Sequence, residues 1–114
     1  MSKFKVVFHM DEQVKVSLIL DYISNLITDI GVENLEIEMV ANGDAVKVFE
    51  KSKSEFGRVL QELAEKEVVF CACAIALRNL GIRRKELLFF VTIVSSGIGE
   101  IINKKAAGWS YICP

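Results

Sequence analysis

Apolar and polar positions follow two different periods along the chain, and the changes of period predict a succession of strands and helices. Phe4 to His9 and Val68 to Ala72 are short, mainly apolar runs rich in strand-forming residues. Between them, an apolar stripe from Val14 to Ile30 repeats with the helical period. Asp11 is predicted to cap this helix and Gly31 to end it.

The second predicted strand, Leu35 to Ala41, alternates apolar residues with Glu36 and Glu38. Such alternation leaves one face partly in water, which favours a position at the edge of the sheet. The turn signal Asn42-Gly43 ends this strand, and a helical segment from Asp44 to Glu50 follows it.

The rest of the chain continues the alternation. Ser54 is predicted to cap a helix whose apolar stripe runs from Phe56 to Ala64, and another helix, Ala74 to Leu80, follows the third strand. The last predicted elements are a strand within Leu88 to Val94, a helix that follows Ser95-Ser96-Gly97 and ends near Ala107, and a short strand from Trp109 to Ile112.

This order of elements predicts a three-layer, flavodoxin/Rossmann-like α/β fold with a mostly parallel five-stranded sheet and helices on both faces. A strand order of 2-1-3-4-5 would place the half-polar second strand at an edge. Ligands would then bind beyond the carboxyl ends of the first and third strands, at the switch point of the sheet. The length of 114 residues favours a single domain spanning residues 1–114.

Composition narrows the classes of partner and compartment. The net charge of −1 gives no attraction to nucleic acid or to an anionic membrane. We expect a cytoplasmic protein with reduced thiols, because no signal peptide or spanning segment is recognised and the three cysteines are an odd number. The 52% hydrophobic content and mean hydropathy of +0.36 favour a homo-oligomer.

Two residues carry most of the predicted chemistry. Cys73 stands where the third strand meets a helix N-terminus, a place that favours a thiolate. His9, at the end of the first strand, is the natural proton acceptor for it. Cys71 could resolve a persulfide or a disulfide. Each of the three could equally be a structural residue packed in the core.

Polar residues that end the other strands are predicted to line the same rim. Asn42-Gly43 and Ser95-Ser96-Gly97 end the second and fourth strands, so they would lie beside the cysteines. The second of these segments is similar to an anion-binding loop, although helix capping explains it without a ligand. Arg78 could reach an anionic substrate or a persulfide. One histidine and no clustered ligand spacing give no reason to expect a metal site, and no cofactor is indicated.

Several motifs together resemble the DsrE/DsrF-like group, in particular its small archaeal and bacterial members. They are Val7–Glu12, Ile37–Gly43, Val69–Ala74 with Leu77-Arg78, and Gly108–Ile112. The resemblance implies a compact flavodoxin/Rossmann-like fold, assembly into trimers or hexamers, and a cysteine after the third strand that carries sulfur as a persulfide to a partner protein. Cys73 is the residue that matches this cysteine.

Three hypotheses about function remain open on the sequence. The first is a sulfur relay, a sulfurtransferase-type carrier with donor and acceptor proteins as partners. The second is a module that binds a nucleotide or another small anion at the rim. The third is an oligomeric scaffold without chemistry of its own.

Overall fold

The computed structural model describes residues 3–52 and 55–114. The elements predicted from periodicity are present, with boundaries shifted by a few residues. The strands are β1 (Phe4–Met10), β2 (Leu35–Ala41), β3 (Val69–Cys73), β4 (Val91–Val94) and β5 (Ser110–Ile112), and the α-helices are α1 (Val16–Ile30), α2 (Gly57–Glu65), α3 (Ala74–Leu80) and α4 (Gly97–Ala106). The helical segment after β2 is a 3₁₀ helix, Gly43–Phe49.

The start of α1 differs from its prediction. A 3₁₀ turn, Gln13–Lys15, precedes the helix, so Asp11 is too early in the chain to cap it. Asp44 Oδ1 instead accepts a hydrogen bond from the Gln13 N–H at 3.3 Å. Gly31 ends α1 as predicted, with a φ of 98°. The predicted cap of α2, Ser54, lies outside the described residues.

The five strands form one sheet in the order β4-β3-β2-β1-β5, and every pairing between them is parallel. The three-layer α/β class is thereby confirmed, but the strand order differs from the predicted 2-1-3-4-5. The edge prediction for β2 is wrong because its two glutamates behave differently. Glu36 is exposed and lies 3.9 Å from Lys5, whereas Glu38 is only 4% exposed.

The course of the chain explains how the helices divide between the two faces. From β1 to β4 each strand is added on the same side, so right-handed crossovers put α1, α2 and α3 on one face. The last crossover returns past β1 to β5, which puts α4 on the opposite face, where Ile101 packs on Val7, Val40 and Cys71. The switch point therefore lies between β1 and β5, not between β1 and β3.

Register aligns the carboxyl ends of the central strands. Met10 pairs with Ala41, Ala41 with Ala72, and Ala72 with Ile93. The residues that follow each strand consequently meet at one rim of the sheet.

Within the described ranges, none of the helices is long and apolar enough to cross a membrane.

Candidate functional site

A cavity of about 360 Å³ opens at the rim beyond the ends of β2, β3 and β4. Five residues singled out from the sequence line it together: Asn42, Gly43, Cys73, Ser96 and Gly97. Parallel strands in register bring these separate stretches together. No sequence pattern predicted the remaining wall, which consists of Asp44, Ile75, Ala76, Asn79, Leu80 and Ile98.

Cys73 is the thiol of this cavity. It is the last residue of β3 and, in an extended conformation, immediately precedes α3. Its thiol is free and the residue is 7% exposed, so access to the sulfur is through the cavity. The first N–H groups of α3 have no partner within that helix, and they favour negative charge near its start. The position suits a nucleophilic sulfur that is shielded from bulk water.

Gly97 brings α4 against this thiol. A Cβ built on Gly97 would lie 3.0 Å from the Asn42 Cβ and 3.4 Å from the Cys73 Cβ. The absence of a side chain therefore lets the first turn of α4 contact the ends of both β2 and β3. This glycine serves close packing within the cavity wall.

Ser96 caps α4. Its Oγ accepts a hydrogen bond from the Gly99 N–H at 3.1 Å, which satisfies one of the free donors of the first turn. Ser95 is exposed and does not line the cavity. Arg78 is also exposed and lies outside the cavity lining. The structure therefore places Ser96 in the cavity wall and leaves Ser95 and Arg78 away from it.

His9 is held at the switch point by two hydrogen bonds. Its Nε2 lies 3.0 Å from Asn42 Oδ1, and its Nδ1 lies 2.8 Å from the Tyr111 hydroxyl on β5. Since a carbonyl oxygen only accepts, Nε2–H donates to Asn42 and Nδ1 accepts from Tyr111. Burial and, after it, the neighbouring Cys113 raise the pKa of Tyr111 to about 12, so the hydroxyl keeps its proton.

The expected contact between His9 and Cys73 is replaced by an indirect one. No hydrogen bond joins the two side chains in residues 3–52 and 55–114. Asn42 connects them, because it accepts a hydrogen bond from His9 and lines the cavity with Cys73. Tyr111 was missed in the sequence, since the predicted strand order did not place β5 beside β1.

Cys71 lies on the face of the sheet that α4 covers and is 2% exposed. Burial, followed by the nearby carboxylates of Glu38 and Glu100, raises the pKa of the Cys71 thiol far above its ordinary value. This environment disfavours a thiolate. The role predicted for Cys71 in resolving a persulfide is therefore not supported by its electrostatics.

Glu38 is a buried acid in a central strand. Burial and, after it, the adjacent Glu100 raise its pKa to about 7. Lys104 of α4 is a neighbouring cation, and its Nζ lies 3.7 Å from Glu38 Oε1 and 3.9 Å from Glu100 Oε2. Nζ also lies 4.5 Å from the centre of the Trp109 ring. Glu38, Cys71, Glu100 and Lys104 are called the α4 cluster below.

A larger cavity, of about 710 Å³, lies elsewhere, between the 3₁₀ turn before α1, the 3₁₀ helix after β2 and the segment before α2. Asp44 is shared by the two cavities, and the larger one is lined by neither a cysteine nor a histidine. None of the predicted site residues lines the larger cavity.

Comparison with known proteins identifies relatives of the whole chain. The family model described as the DsrE/DsrF-like family matches residues 3–114. The structure of MTH1491, a protein of unknown function from Methanobacterium thermoautotrophicum, is 38% identical, with a TM-score of 0.91 over 98% of this chain and 100% of that one. No curated protein gives a significant match.

Two more distant structures share the fold. The ychN protein of E. coli is 18% identical, with a TM-score of 0.77 over the full length of both chains. BT1422, a protein of unknown function from Bacteroides thetaiotaomicron, is 16% identical, with a TM-score of 0.73 over 96% of this chain and 94% of that one. At these identities the likeness concerns the fold alone.

Proposed function

This chain belongs to the DsrE/DsrF-like family, and on that premise we propose that it carries sulfur as a persulfide on Cys73 and passes it to a partner protein. The observation that carries the proposal is the position of Cys73. Its thiol lines the rim cavity, directly before α3, where the ends of three strands meet.

Loading and unloading are sulfur transfers without net oxidation. The Cys73 thiolate attacks the outer sulfur of a donor persulfide and forms a new S–S bond. The bond between the two donor sulfurs breaks, and the donor leaves as a thiolate with that electron pair. An acceptor thiolate then attacks the outer sulfur on Cys73 in the same way, which regenerates the Cys73 thiolate.

The surroundings of the three thiols favour Cys73 as the carrier. Cys71 is sealed beneath α4 beside two carboxylates, where negative charge is unfavourable. Cys113 is exposed near the end of the chain and is not part of the rim cavity. Cys73 is buried yet lines the rim cavity directly before α3, so a persulfide there would be shielded from bulk water and still be reached through the cavity.

Mass spectrometry after incubation with inorganic polysulfide tests the proposal. We expect the mass of one additional sulfur atom on the peptide that contains Cys73, and transfer of that sulfur to a small thiol acceptor. Cys73→Ser should abolish both, whereas Cys113→Ser should retain both. Equal sulfur incorporation on Cys73 and Cys113, or loading that persists in Cys73→Ser, would contradict the proposal.

The volume of the rim cavity favours a small-molecule site as the second candidate function, since ligand pockets commonly occupy roughly 300–1,000 Å³. A thermal-shift panel of nucleotides and inorganic phosphate distinguishes small-molecule binding from sulfur transfer. Stabilisation by a nucleotide that survives Cys73→Ser and disappears in Gly97→Leu would favour binding over sulfur transfer. No stabilisation by any member of the panel would leave sulfur transfer as the function the cavity supports.

We also propose that the protein is a homo-oligomer in which a second copy packs beside the mouth of the rim cavity and leaves it open. Ile75, Leu80 and Ile98 line the cavity, yet each is between 42% and 50% exposed. Ile102, one turn further along α4 from Ile98, is 61% exposed. We propose that these exposed apolar side chains contact the second copy. Light scattering should give a mass above that of one chain, and Ile98→Lys should reduce it to the monomer.

A further inference from the structure

We infer that Glu38, Cys71 and Glu100 form a binding site for a divalent transition metal ion of the Zn²⁺ type, separate from the rim cavity. The site lies between the sheet and α4. None of its three residues lines the cavity at Cys73. No local sequence pattern indicates this site, because its ligands come from three separate elements, β2, β3 and α4.

The fold brings these three side chains together. Glu38 pairs with Val69 and Val40 with Cys71, so Glu38 and Cys71 are diagonal neighbours on the face that α4 covers. Glu100 projects from the first turns of α4 above them. The three ligand atoms all lie within 4.8 Å of one another.

The burial of Glu38 calls for a partner that the protein itself does not fully supply. The residue is 4% exposed, and its Oε2 atom is buried with no hydrogen-bond partner among the described residues. Glu38 interacts with Glu100, Cys71 and Lys104, but a carboxyl oxygen left without a hydrogen bond in the protein interior still costs free energy. The unpartnered oxygen is therefore a second observation, beyond the grouping of acids, that points to a ligand.

Charge also favours a dication. With a metal bound and all three ligands deprotonated, Glu38, Glu100 and Cys71 would carry three negative charges, and Lys104 supplies one positive charge at 3.7 and 3.9 Å from the two carboxyl groups. At those distances its ammonium is beyond direct hydrogen bonding, and the Trp109 ring also attracts it. A dication would bring the α4 cluster to neutrality and would stabilise the thiolate.

The donor set selects the class of metal. One thiolate with two carboxylates suits Zn²⁺ or a similar transition metal better than Mg²⁺ or Ca²⁺, which prefer oxygen alone. With metal–sulfur and metal–oxygen bonds of about 2.3 and 2.1 Å, donors of a tetrahedral site lie roughly 3.6 Å apart, so side-chain movements of about 1 Å would close it. The Glu100 side chain is 20% exposed, which gives an ion a route from solvent.

Cobalt titration of the tag-free, chelator-treated full chain tests the site. We expect one Co²⁺ per chain with a near-ultraviolet thiolate-to-cobalt charge-transfer band, which Zn²⁺ should displace. Cys71→Ser should abolish the band, and Glu38→Gln should weaken binding by at least about tenfold. Two matched control variants should bind Co²⁺ as the unmodified protein does. Glu36→Gln changes an exposed acid of the same strand, and Cys73→Ser changes the other thiol of β3.

A second measurement covers the case in which a core variant does not fold. Glu100 is partly exposed, so Glu100→Gln is expected to fold normally. Zn²⁺ should raise the unfolding temperature of the unmodified protein and have a much smaller effect on Glu100→Gln. Absence of a charge-transfer band, a band that persists in Cys71→Ser, or equal stabilisation of the two proteins by Zn²⁺ would overturn the inference.

Discussion

Replacement of Gly97 by alanine tests whether the first turn of α4 is fixed against the ends of β2 and β3. The new Cβ would lie 3.0 Å from the Asn42 Cβ, 3.4 Å from the Cys73 Cβ and 3.5 Å from Val40 Cγ1. Carbon atoms prefer about 3.5–4.0 Å, so at least the first contact must lengthen. Asn42 cannot yield easily, because its N–H donates to the Met10 carbonyl oxygen and its side chain accepts from the buried His9.

The expected cost follows from two opposing effects. Overpacking by one methyl group costs about 1–3 kcal/mol in a close-packed region. Alanine is favoured over glycine within a helix by up to about 1 kcal/mol. Gly97→Ala should therefore lower the free energy of unfolding by about 1–2 kcal/mol. With an m-value of roughly 1–3 kcal/mol/M, the urea midpoint should fall by about 0.3–2 M.

Urea unfolding followed by the fluorescence of Trp109 measures this change, and Gly99→Ala is the matched control in the same helix. A Cβ on Gly99 would lie 3.4 Å from the Ser96 Cβ and 3.5 Å from its Oγ, which are ordinary contacts at an N-cap. Gly99→Ala should leave stability unchanged or raise it by up to about 1 kcal/mol. If Gly97→Ala proved as stable as Gly99→Ala, the proposed close packing beside Cys73 would be refuted.

Three further predictions concern single side chains of the site. Ser96→Ala removes the cap of α4 and should cost about 1 kcal/mol in urea unfolding, whereas the exposed neighbour Ser95→Ala should cost little; equal effects would argue against the cap. Tyr111→Phe removes the hydroxyl that donates to His9 and should cost about 1 kcal/mol. The same substitution should also change the ¹⁵N chemical shifts of the His9 ring nitrogens in long-range ¹H–¹⁵N spectra, and an unchanged spectrum would contradict the hydrogen bond. Cys71 should resist iodoacetamide at mildly alkaline pH until the protein is unfolded, because burial and neighbouring carboxylates raise its pKa; labelling in the native state would contradict this.

Local sequence patterns were sufficient to predict the class of fold and part of the candidate site. The changes between strand and helix periods depend on which side chains are apolar, so they predicted the succession of elements. Part of the wall of the rim cavity could also be predicted, because the carboxyl ends of parallel strands lie at the same edge of a sheet whatever the strand order. For that reason Asn42, Cys73 and Gly97 were predicted correctly to lie together.

Local patterns did not predict the order of the strands in the sheet. An acid in an alternating strand predicts contact with water, and Glu36 obeys this rule whereas Glu38 does not. The error placed β2 at an edge and the switch point beside β3. It thereby concealed the contact of Tyr111 with His9, which requires β5 to pair with β1.

The sequence by itself determined the elements, the parallel α/β class and the meeting of strand ends at one rim, since these follow from local periodicity and the handedness of crossovers. The tertiary structure alone decided which strands are neighbours, how His9 is bonded, and the grouping of Glu38, Cys71 and Glu100 beneath α4. Those contacts join residues far apart in the chain, and their distances depend on how one whole element packs on another, which no local pattern records.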